Sequence, residues 1–184
     1  MRITGGVFRS RTLVAPRGAA TRPTSDRVRE ALFSVLGSRD VVNEARVLDL
    51  YAGTGALAIE ALSRGAAHAT FVEHARAAVT ALRANLRALD LGEKARVVVA
   101  RAERAAELLA GETFDLVFAD PPYSDVAAAV QVLEALTLIG SAKPGATIVL
   151  EHAAKESPPT IYGLERVDLR RYGDTSLSFF VAPR

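Results

Sequence analysis

A short motif after an apolar run carries groups that could hold and position an amine. The run occupies residues 114–119, and Asp120-Pro121-Pro122-Tyr123 follows it. The Asp120 carboxylate and the Pro121 carbonyl can each accept an N–H hydrogen bond, while prolines fix φ and remove competing donors. The Tyr123 ring can stack on a base that has left its helix. We therefore predict Asp120, Pro121, Pro122 and Tyr123 as catalytic residues, with an ordinary turn after a strand as the alternative.

A glycine turn upstream could bring the backbone close to a nucleoside ligand. Residues 53–58 match G-x-G-x-x-A, between a predicted strand and a predicted helix. Glu73 follows Gly53 by twenty residues, at the end of the next predicted strand, where an acid can accept ribose hydroxyls. This turn fits a nicotinamide cofactor or S-adenosylmethionine. Asp49, just ahead of the turn, favours the second, because a carboxylate suits a cationic amino acid better than a pyrophosphate.

Strands and helices alternate from residue 46 onward. Strands are predicted at 47–50, 70–73, 97–99, 114–119 and 146–150. One helix is predicted from the glycine turn to residue 62, and others at 75–90, 103–109 and 126–139. Further strands at 166–169 and 176–181 form a terminal antiparallel pair. Near-continuous apolar strands predict a parallel sheet that is covered on both faces. Because the carboxyl ends of such strands share one edge, we expect Asp49, Glu73 and Asp120 to line one crevice.

The first thirty residues are basic. They carry seven arginines against Asp26 and Glu30, although the whole chain has a net charge of only +2. Such a segment could bind RNA phosphates or form a solvated basic face. The nucleic-acid-binding candidates are Arg9, Arg11, Arg22, Thr24 and Arg27. We predict short strands at 2–4, 7–8 and 12–14, and we assign 1–23 as an N-terminal hairpin and loop extension before a domain at 24–184.

Composition excludes several classes of protein. The 184 residues are 49% hydrophobic, enough for one core. No apolar run reaches the roughly 18 residues of a membrane helix, and the first residues lack an apolar signal segment. There is no cysteine, and His68, His74 and His152 lack metal-ligand spacing, so we expect neither a disulfide nor a metal. We expect a cytoplasmic monomer.

Several segments together resemble a known family. Residues 47–66, V-L-D-L-Y-A-G-T-G-A-L-A-I-E-A-L-S-R-G-A, with D-P-P-Y at 120–123, resemble class I S-adenosylmethionine-dependent amino-methyltransferases. M-R-I-T-G-G-V-F-R-S-R-T-L at 1–13, R-P-T-S-D-R-V-R-E-A-L-F-S-V-L at 22–36 and Y-G-D-T-S-L at 172–177 resemble the RsmD family, and the likeness covers essentially the whole chain. That family methylates the exocyclic N2 amino group of a guanine in 16S ribosomal RNA of the small subunit.

The resemblance implies a fold, a cofactor and a partner. The fold would be α/β and Rossmann-like, a mostly parallel seven-stranded sheet with helices on both faces and a small N-terminal β-hairpin/helix extension. The cofactor would be S-adenosyl-L-methionine, and the partner 16S ribosomal RNA or a small-subunit assembly intermediate. The implied cofactor-binding residues are Asp49, Tyr51, Ala52, Gly53, Gly55, Glu73, His74, Ala102 and Asp120. Many class I enzymes read adenine with an Asp or Asn where this chain has Arg101, so the backbone N–H of Ala102 would take that contact.

Other functions share parts of the pattern. A DNA amino-methyltransferase acting on adenine or cytosine also uses D-P-P-Y, although we expect no room here for a separate target-recognition domain. A nicotinamide oxidoreductase shares the glycine turn but has no use for D-P-P-Y. A non-catalytic RNA-binding module would use the arginines with a degenerate pocket.

Overall fold

The structure, a computed structural model, describes residues 1–16 and 25–184. The strands are β1 Arg46–Asp49, β2 His68–Glu73, β3 Ala95–Val99, β4 Phe114–Ala119, β5 Ala142–Ala153, β6 Glu165–Tyr172 and β7 Thr175–Val181. The α-helices are α1 Asp26–Ser38, α2 Ala56–Ser63, α3 Arg76–Ala88, α4 Ala105–Leu108 and α5 Val126–Leu138. Within the described residues the strands form one seven-stranded sheet, in the order β3-β2-β1-β4-β5-β7-β6. None of the described helices has the length and apolar character needed to cross a membrane.

The sheet is mostly parallel, as predicted. Strands β1 to β5 pair in parallel, β7 runs antiparallel to β5, and β6 runs antiparallel to β7. Each parallel connection passes through a helix or a helical turn, which returns the chain to the same edge of the sheet. The predicted α/β fold class is confirmed, and the carboxyl ends of β1, β2, β4 and β5 lie along one edge.

Helices cover both faces of the sheet, and a separate core lies under each layer. On one face α1, α2 and α3 pack over the strands, and the rings of Phe33 and Phe118 lie 5.8 Å apart. On the other face α4 and α5 cover the sheet, and Leu133 belongs to the same cluster as Val117 and Phe180. Since successive strand residues point to opposite faces, both sets of side chains must be apolar. This explains the near-continuous apolar runs in the sequence.

Strand β5 is longer than the predicted 146–150, because an irregularity lets it pass a proline. Phe114 of β4 pairs with Ala142, but Leu116 pairs with Thr147, so the register shifts between these pairs. The extra residues include Pro144, which cannot donate to a neighbouring strand and is tolerated at such bulges. A Pro-Gly pair normally marks a turn, and for that reason the sequence pattern placed the start of the strand too late.

The strand predicted at 7–8 is wrong, because its backbone donors bond to a helix end. The N–H groups of Val7 and Phe8 donate to the carbonyl and hydroxyl oxygens of Ser63, at 2.8 and 2.9 Å. Ser63 is the last residue of α2, where carbonyls lack partners within the helix. The strand pairing within residues 1–16 is a single antiparallel bridge between Arg2 and Thr12. Backbone hydrogen bonds also join residues 1–3 to residues 10–13, and this hairpin-like segment packs on the end of α2.

A buried carboxylate, Glu60 of α2, ties the N-terminal segment to α1. Glu60 accepts hydrogen bonds from Arg29 Nε at 3.3 Å, from Arg64 Nε at 2.9 Å and from the Thr4 backbone N–H at 2.9 Å. Arg29 also donates to Asp26 at 2.9 Å. Both Glu60 and Arg29 are fully buried. Arg29, which the sequence pattern counted with the basic segment, is thus an internal structural charge.

We predict that Glu60→Ala lowers Tm by about 10 °C, because Arg29 then stays buried without its carboxylate partner on α2. Thermal unfolding followed by circular dichroism measures the shift. Glu107→Ala is the matched control, since Glu107 pairs with Arg104 at 2.9 Å on the surface and its loss should move Tm by less than about 2 °C. Equal shifts in both variants would contradict the structural role of Glu60.

Candidate active site

The sheet register places a row of side chains along the carboxyl edge. Continuing the β1 pairings by two residues sets Tyr51 between Glu73 of β2 and Asp120, the residue after β4. Continuing the β4–β5 pairing by one residue sets Asp120 opposite Glu151. Neighbouring strands lie about 4.8 Å apart, so these residues are close although they are distant in sequence. Strand alternation turns Asp49, Glu73, Asp120 and Glu151 toward the face that carries α1 to α3.

Gly55 makes the turn after β1 and leaves α2 without a side-chain cap. Its φ is +87°, and a Cβ there would lie 2.5 Å from Leu82 Cδ1, so only glycine fits. Asp49 supplies the missing cap from the preceding strand, since its Oδ2 accepts the Ala58 N–H at 3.3 Å in the first turn of α2. The other oxygen, Oδ1, is buried and has no hydrogen-bond partner among the described residues. Such an oxygen is costly to leave unpaired, and it indicates a place for a ligand donor.

The surroundings of Asp49 disfavour its ionised form. Burial raises the pKa of the Asp49 carboxyl from 3.8 to about 8; the Ala58 N–H opposes the shift, and the charges of Asp120 and Glu73 add to it. Asp49 is therefore mostly neutral at pH 7. A cation bound beside it would favour the ionised form. The structure thus brings Asp49, Glu73 and Asp120 within electrostatic reach of one another.

Glu73 holds the glycine turn through the backbone. Its Oε2 accepts the Gly53 N–H at 2.8 Å, and its Oε1 accepts the N–H groups of His74 and Ala75 at 2.8 and 2.7 Å. An ionised carboxylate offers about four acceptor positions, so these bonds leave room for one ligand hydroxyl. The His74 ring is exposed, with Nδ1 3.6 Å from Glu73 Oε1. Glu73 therefore has a structural role at the turn that the sequence did not indicate.

The remaining predicted cofactor residues differ in how they are placed. The N–H of Ala52 donates to the Val72 carbonyl at 3.1 Å and so belongs to the sheet. The Tyr51 hydroxyl is buried without a partner among the described residues, and burial raises its pKa to about 12. Ala102 is buried at the start of a 3-10 turn after β3, while Arg101 is exposed. The Tyr51 ring packs against the core under α4 and α5, and its hydroxyl is close enough to Glu103 and Asp125 for their charges to raise its pKa further.

D-P-P-Y forms a rigid corner directly after β4. Asp120 is half-buried, Pro121 is buried, and Pro122 is extended with φ −49° and ψ 143°. A short 3-10 turn begins at Tyr123, and the Asp125 N–H donates to the Pro122 carbonyl at 2.8 Å. The prolines do not interrupt β4, because the strand has already ended at the preceding residue. The corner therefore presents the Asp120 carboxylate at the same edge as the glycine turn.

The nucleic-acid candidates that the structure describes are exposed side chains of the N-terminal segment and α1. Arg9, Arg11 and Arg27 are exposed, and Arg22 and Thr24 lie outside the described residues. Arg11 Nη2 donates to the carbonyl of Ala88 at 3.0 Å. Ala88 ends α3, and α3 begins at the carboxyl edge after β2, so Arg11 lies at the far end of that helix from the crevice. Arg27 lies in the first turn of α1.

Two residues that the sequence did not single out also border the crevice. Buried Asn85 accepts the Val14 N–H at 2.8 Å and donates to the carbonyls of Val14 and Thr54, both at 3.0 Å, which joins the N-terminal segment to the glycine turn. Its signal was a polar residue on the inward stripe of α3. The sequence signal for Glu151 was an acid directly after the apolar run 146–150, just as Asp120 directly follows the apolar run 114–119.

The described residues contain no group of three His, Cys, Asp or Glu arranged for a metal ion.

Known proteins match this chain over essentially its whole length. The family model described as Conserved hypothetical protein 95 matches residues 1–181. The chain is 38% identical to YlbH of Bacillus subtilis (strain 168), over 98% of each protein. It is 46% identical to Ribosomal RNA small subunit methyltransferase D of Escherichia coli (strain K12), over 67% of this chain and 60% of that relative. The solved structure of yhhF from Escherichia coli has a TM-score of 0.87 and 35% identity, and the match covers 100% of this chain and 98% of that one. The chain therefore belongs to the Conserved hypothetical protein 95 family, the RsmD family of methyltransferases.

Proposed function

We propose that this protein transfers a methyl group from S-adenosylmethionine to the exocyclic N2 amino group of a guanine in 16S ribosomal RNA. The observation that carries the proposal is the shared edge, where the Asp120 corner lies beside the Asp49–Gly55 turn. The Escherichia coli relative is named Ribosomal RNA small subunit methyltransferase D, which supports ribosomal RNA as the substrate. The substrate is either free RNA or a small-subunit assembly intermediate. The cytoplasmic location and the monomeric state stay predictions.

The residues at the glycine turn fit S-adenosylmethionine. Asp49 Oδ1 is a buried, unpartnered acceptor that suits a cationic amino group. Glu73 has acceptor capacity left for a ribose hydroxyl beside Gly53. When bound, S-adenosylmethionine supplies an electrophilic methyl group on a positively charged sulfur. Without a ligand the Asp49 carboxyl is mostly neutral at pH 7, and the positive charge of bound S-adenosylmethionine would favour its ionised form.

Asp120 and Pro121 hold the target amine. The Asp120 carboxylate accepts one N–H and the Pro121 carbonyl accepts the other, which turns the nitrogen lone pair away from both acceptors. Positive charge develops on the nitrogen as its new bond forms, and the nearby Asp120 carboxylate stabilises it. Asp120 then takes the surplus proton, directly or through a water molecule. Tyr123 supports the plane of the base by stacking.

The carboxylates also weigh against the other functions. A nicotinamide cofactor would bring its pyrophosphate toward Glu73 and Asp120, whose negative charges repel it, and it offers no cationic amino group for Asp49. A non-catalytic RNA-binding module has no need for acids at the crevice, since they repel phosphates as well. A DNA amino-methyltransferase remains the second candidate because D-P-P-Y serves any planar amine. The names of the relatives favour ribosomal RNA over DNA.

The proposed function is tested by incubating purified protein with labelled S-adenosylmethionine and small ribosomal subunits or their RNA. The RNA is digested, and mass spectrometry identifies the nucleoside. We expect N2-methylguanosine. Label on adenosine or cytidine would contradict the guanine substrate, and the absence of transfer to any nucleic acid would contradict the enzyme function.

We predict that Asp120→Ala lowers turnover at least about 100-fold while Tm changes by less than about 2 °C, because a half-buried strand-end carboxylate contributes little to the core. The same transfer assay and thermal unfolding measure both quantities. Asp115→Ala is the control, since Asp115 lies near the other end of β4, away from the carboxyl edge, and pairs with Lys143 at 2.7 Å. Activity and Tm that fall together in Asp120→Ala would identify Asp120 as a structural residue.

We predict that Asp49→Asn stabilises the fold at high pH and weakens cofactor binding. From about pH 4 to pH 8 native Asp49 keeps a proton that the unfolded chain has lost, so its contribution to stability falls as pH rises through this window. Asparagine does not ionise, and the Tm difference between variant and wild type should therefore grow by roughly 5 °C between pH 5 and pH 8. Calorimetry should show at least about tenfold weaker S-adenosylmethionine binding. A pH-independent Tm difference with unchanged affinity would mean that Asp49 serves only as a helix cap.

A further inference from the structure

The ring of Tyr123 is open to solvent, but its hydroxyl is tied to the terminal hairpin. Tyr123 is 43% exposed. Its Oη lies 2.7 Å from Thr175 Oγ1 and 3.4 Å from the Asp174 carbonyl oxygen. Thr175 is the first residue of β7, fifty-two positions further along the chain. The contact therefore joins the D-P-P-Y corner to a distant part of the sheet.

Glu151 fixes the direction of the hydrogen bonds in this contact. Thr175 Oγ1 donates to Glu151 Oε1 at 3.3 Å. A hydroxyl has one proton, so Thr175 uses it on the carboxylate and can only accept from Tyr123. Tyr123 is then the donor, and its phenol oxygen keeps its lone pairs. The chain Tyr123–Thr175–Glu151 ends on a carboxylate that is 8% exposed and held within β5, an interior strand of the sheet.

The hairpin that carries Thr175 is itself held in place. Tyr172 and Thr175 face each other across a two-residue turn, and Gly173 takes the first turn position with φ +60°, as such turns require. The carbonyl of Asp174 accepts the Ala154 N–H at 2.8 Å, which ties the turn to the residue after β5. A residue anchored on this hairpin is therefore anchored on the sheet.

We propose that Thr175 and Glu151 are positioning residues, which hold Tyr123 as the platform for the target base. The terminal hairpin is then part of the active site. This inference rests on the proposed function, because the platform matters only if a base is presented to Asp120. Tyr123 begins a three-residue 3-10 turn, so its ring orientation depends on the hydroxyl contact more than it would within a helix.

Thr175 and Glu151 lie away from the cofactor residues, so their loss should affect methyl transfer and not cofactor binding. Glu73 and Asp49 are placed on β2 and β1, whereas Glu151 and Thr175 are on β5 and β7, on the other side of Asp120. Without the hydrogen bond to Thr175, the Tyr123 ring holds the target base less firmly. The amine is then less well aligned with the methyl group, which slows transfer. Cofactor binding at the glycine turn is unaffected. The effect should thus fall on transfer with saturating cofactor.

The test is a double-mutant cycle with Tyr123→Phe and Thr175→Val, in single-turnover transfer to small-subunit RNA at saturating S-adenosylmethionine. Each single variant should slow transfer about tenfold, and the double variant should be no slower than either one. Thr175→Ser keeps the hydroxyl and should restore wild-type transfer within about threefold. Thr137→Val is the matched control, because Thr137 bonds the Leu133 carbonyl within α5 and its loss should leave transfer unchanged.

Cofactor affinity from calorimetry and Tm are measured on the same proteins, and both should stay near wild type in Thr175→Val. Multiplicative losses in the double variant, or wild-type transfer by Thr175→Val, would overturn the positioning role while leaving the proposed function in place. A Thr175→Val defect that Thr175→Ser shares would also overturn it. Wild-type protein that methylates no nucleic acid would overturn the proposed function, and the inference with it.

Discussion

Burial of the Asp49 carboxyl beside other acids, at one edge of a parallel sheet, is the constraint on which the site depends. Parallel strands bring their carboxyl ends together, and in this chain those ends carry Asp49, Glu73 and Asp120. The fold lowers the cost of this arrangement by giving Glu73 backbone N–H partners and by keeping the buried Asp49 carboxyl protonated. A positively charged ligand would lower that cost further. The chemistry that suits such a site is therefore one with a cationic donor and an amine that gains positive charge.

The parts of the molecule away from the edge keep this arrangement in place. Glu60 joins the N-terminal segment to α1 and α2 through buried hydrogen bonds, and Asn85 joins the same segment to the carbonyl of Thr54 in the glycine turn. The segment thus borders the cofactor side of the crevice, while the terminal hairpin borders the other side through Thr175. Both ends of the described chain contribute to a site whose central groups come from β1 and β4.

Much of the fold could be predicted from the sequence because it follows local patterns. The apolar strands and the amphipathic helix α3 carry strong periodicity, and strand-end acids at Asp49, Glu73 and Asp120 follow from the parallel sheet. Features set by contacts between distant residues could not be predicted. Val7 is paired with a helix end rather than with a strand, and Thr175 meets Tyr123 across fifty-two residues. Local helix and strand propensities carry no information about contacts between residues that are distant in the sequence.

A crystal structure of the protein with S-adenosylhomocysteine and a short RNA that contains the target guanine tests the central claim most directly. The measured quantities are the distances from the guanine N2 atom to the Asp120 carboxylate and to the Pro121 carbonyl. We expect both within hydrogen-bonding distance, with the sulfur of the bound nucleoside beside the glycine turn on the α1–α3 face. A nucleoside bound over α4 and α5, or a guanine held away from Asp120, would contradict the account.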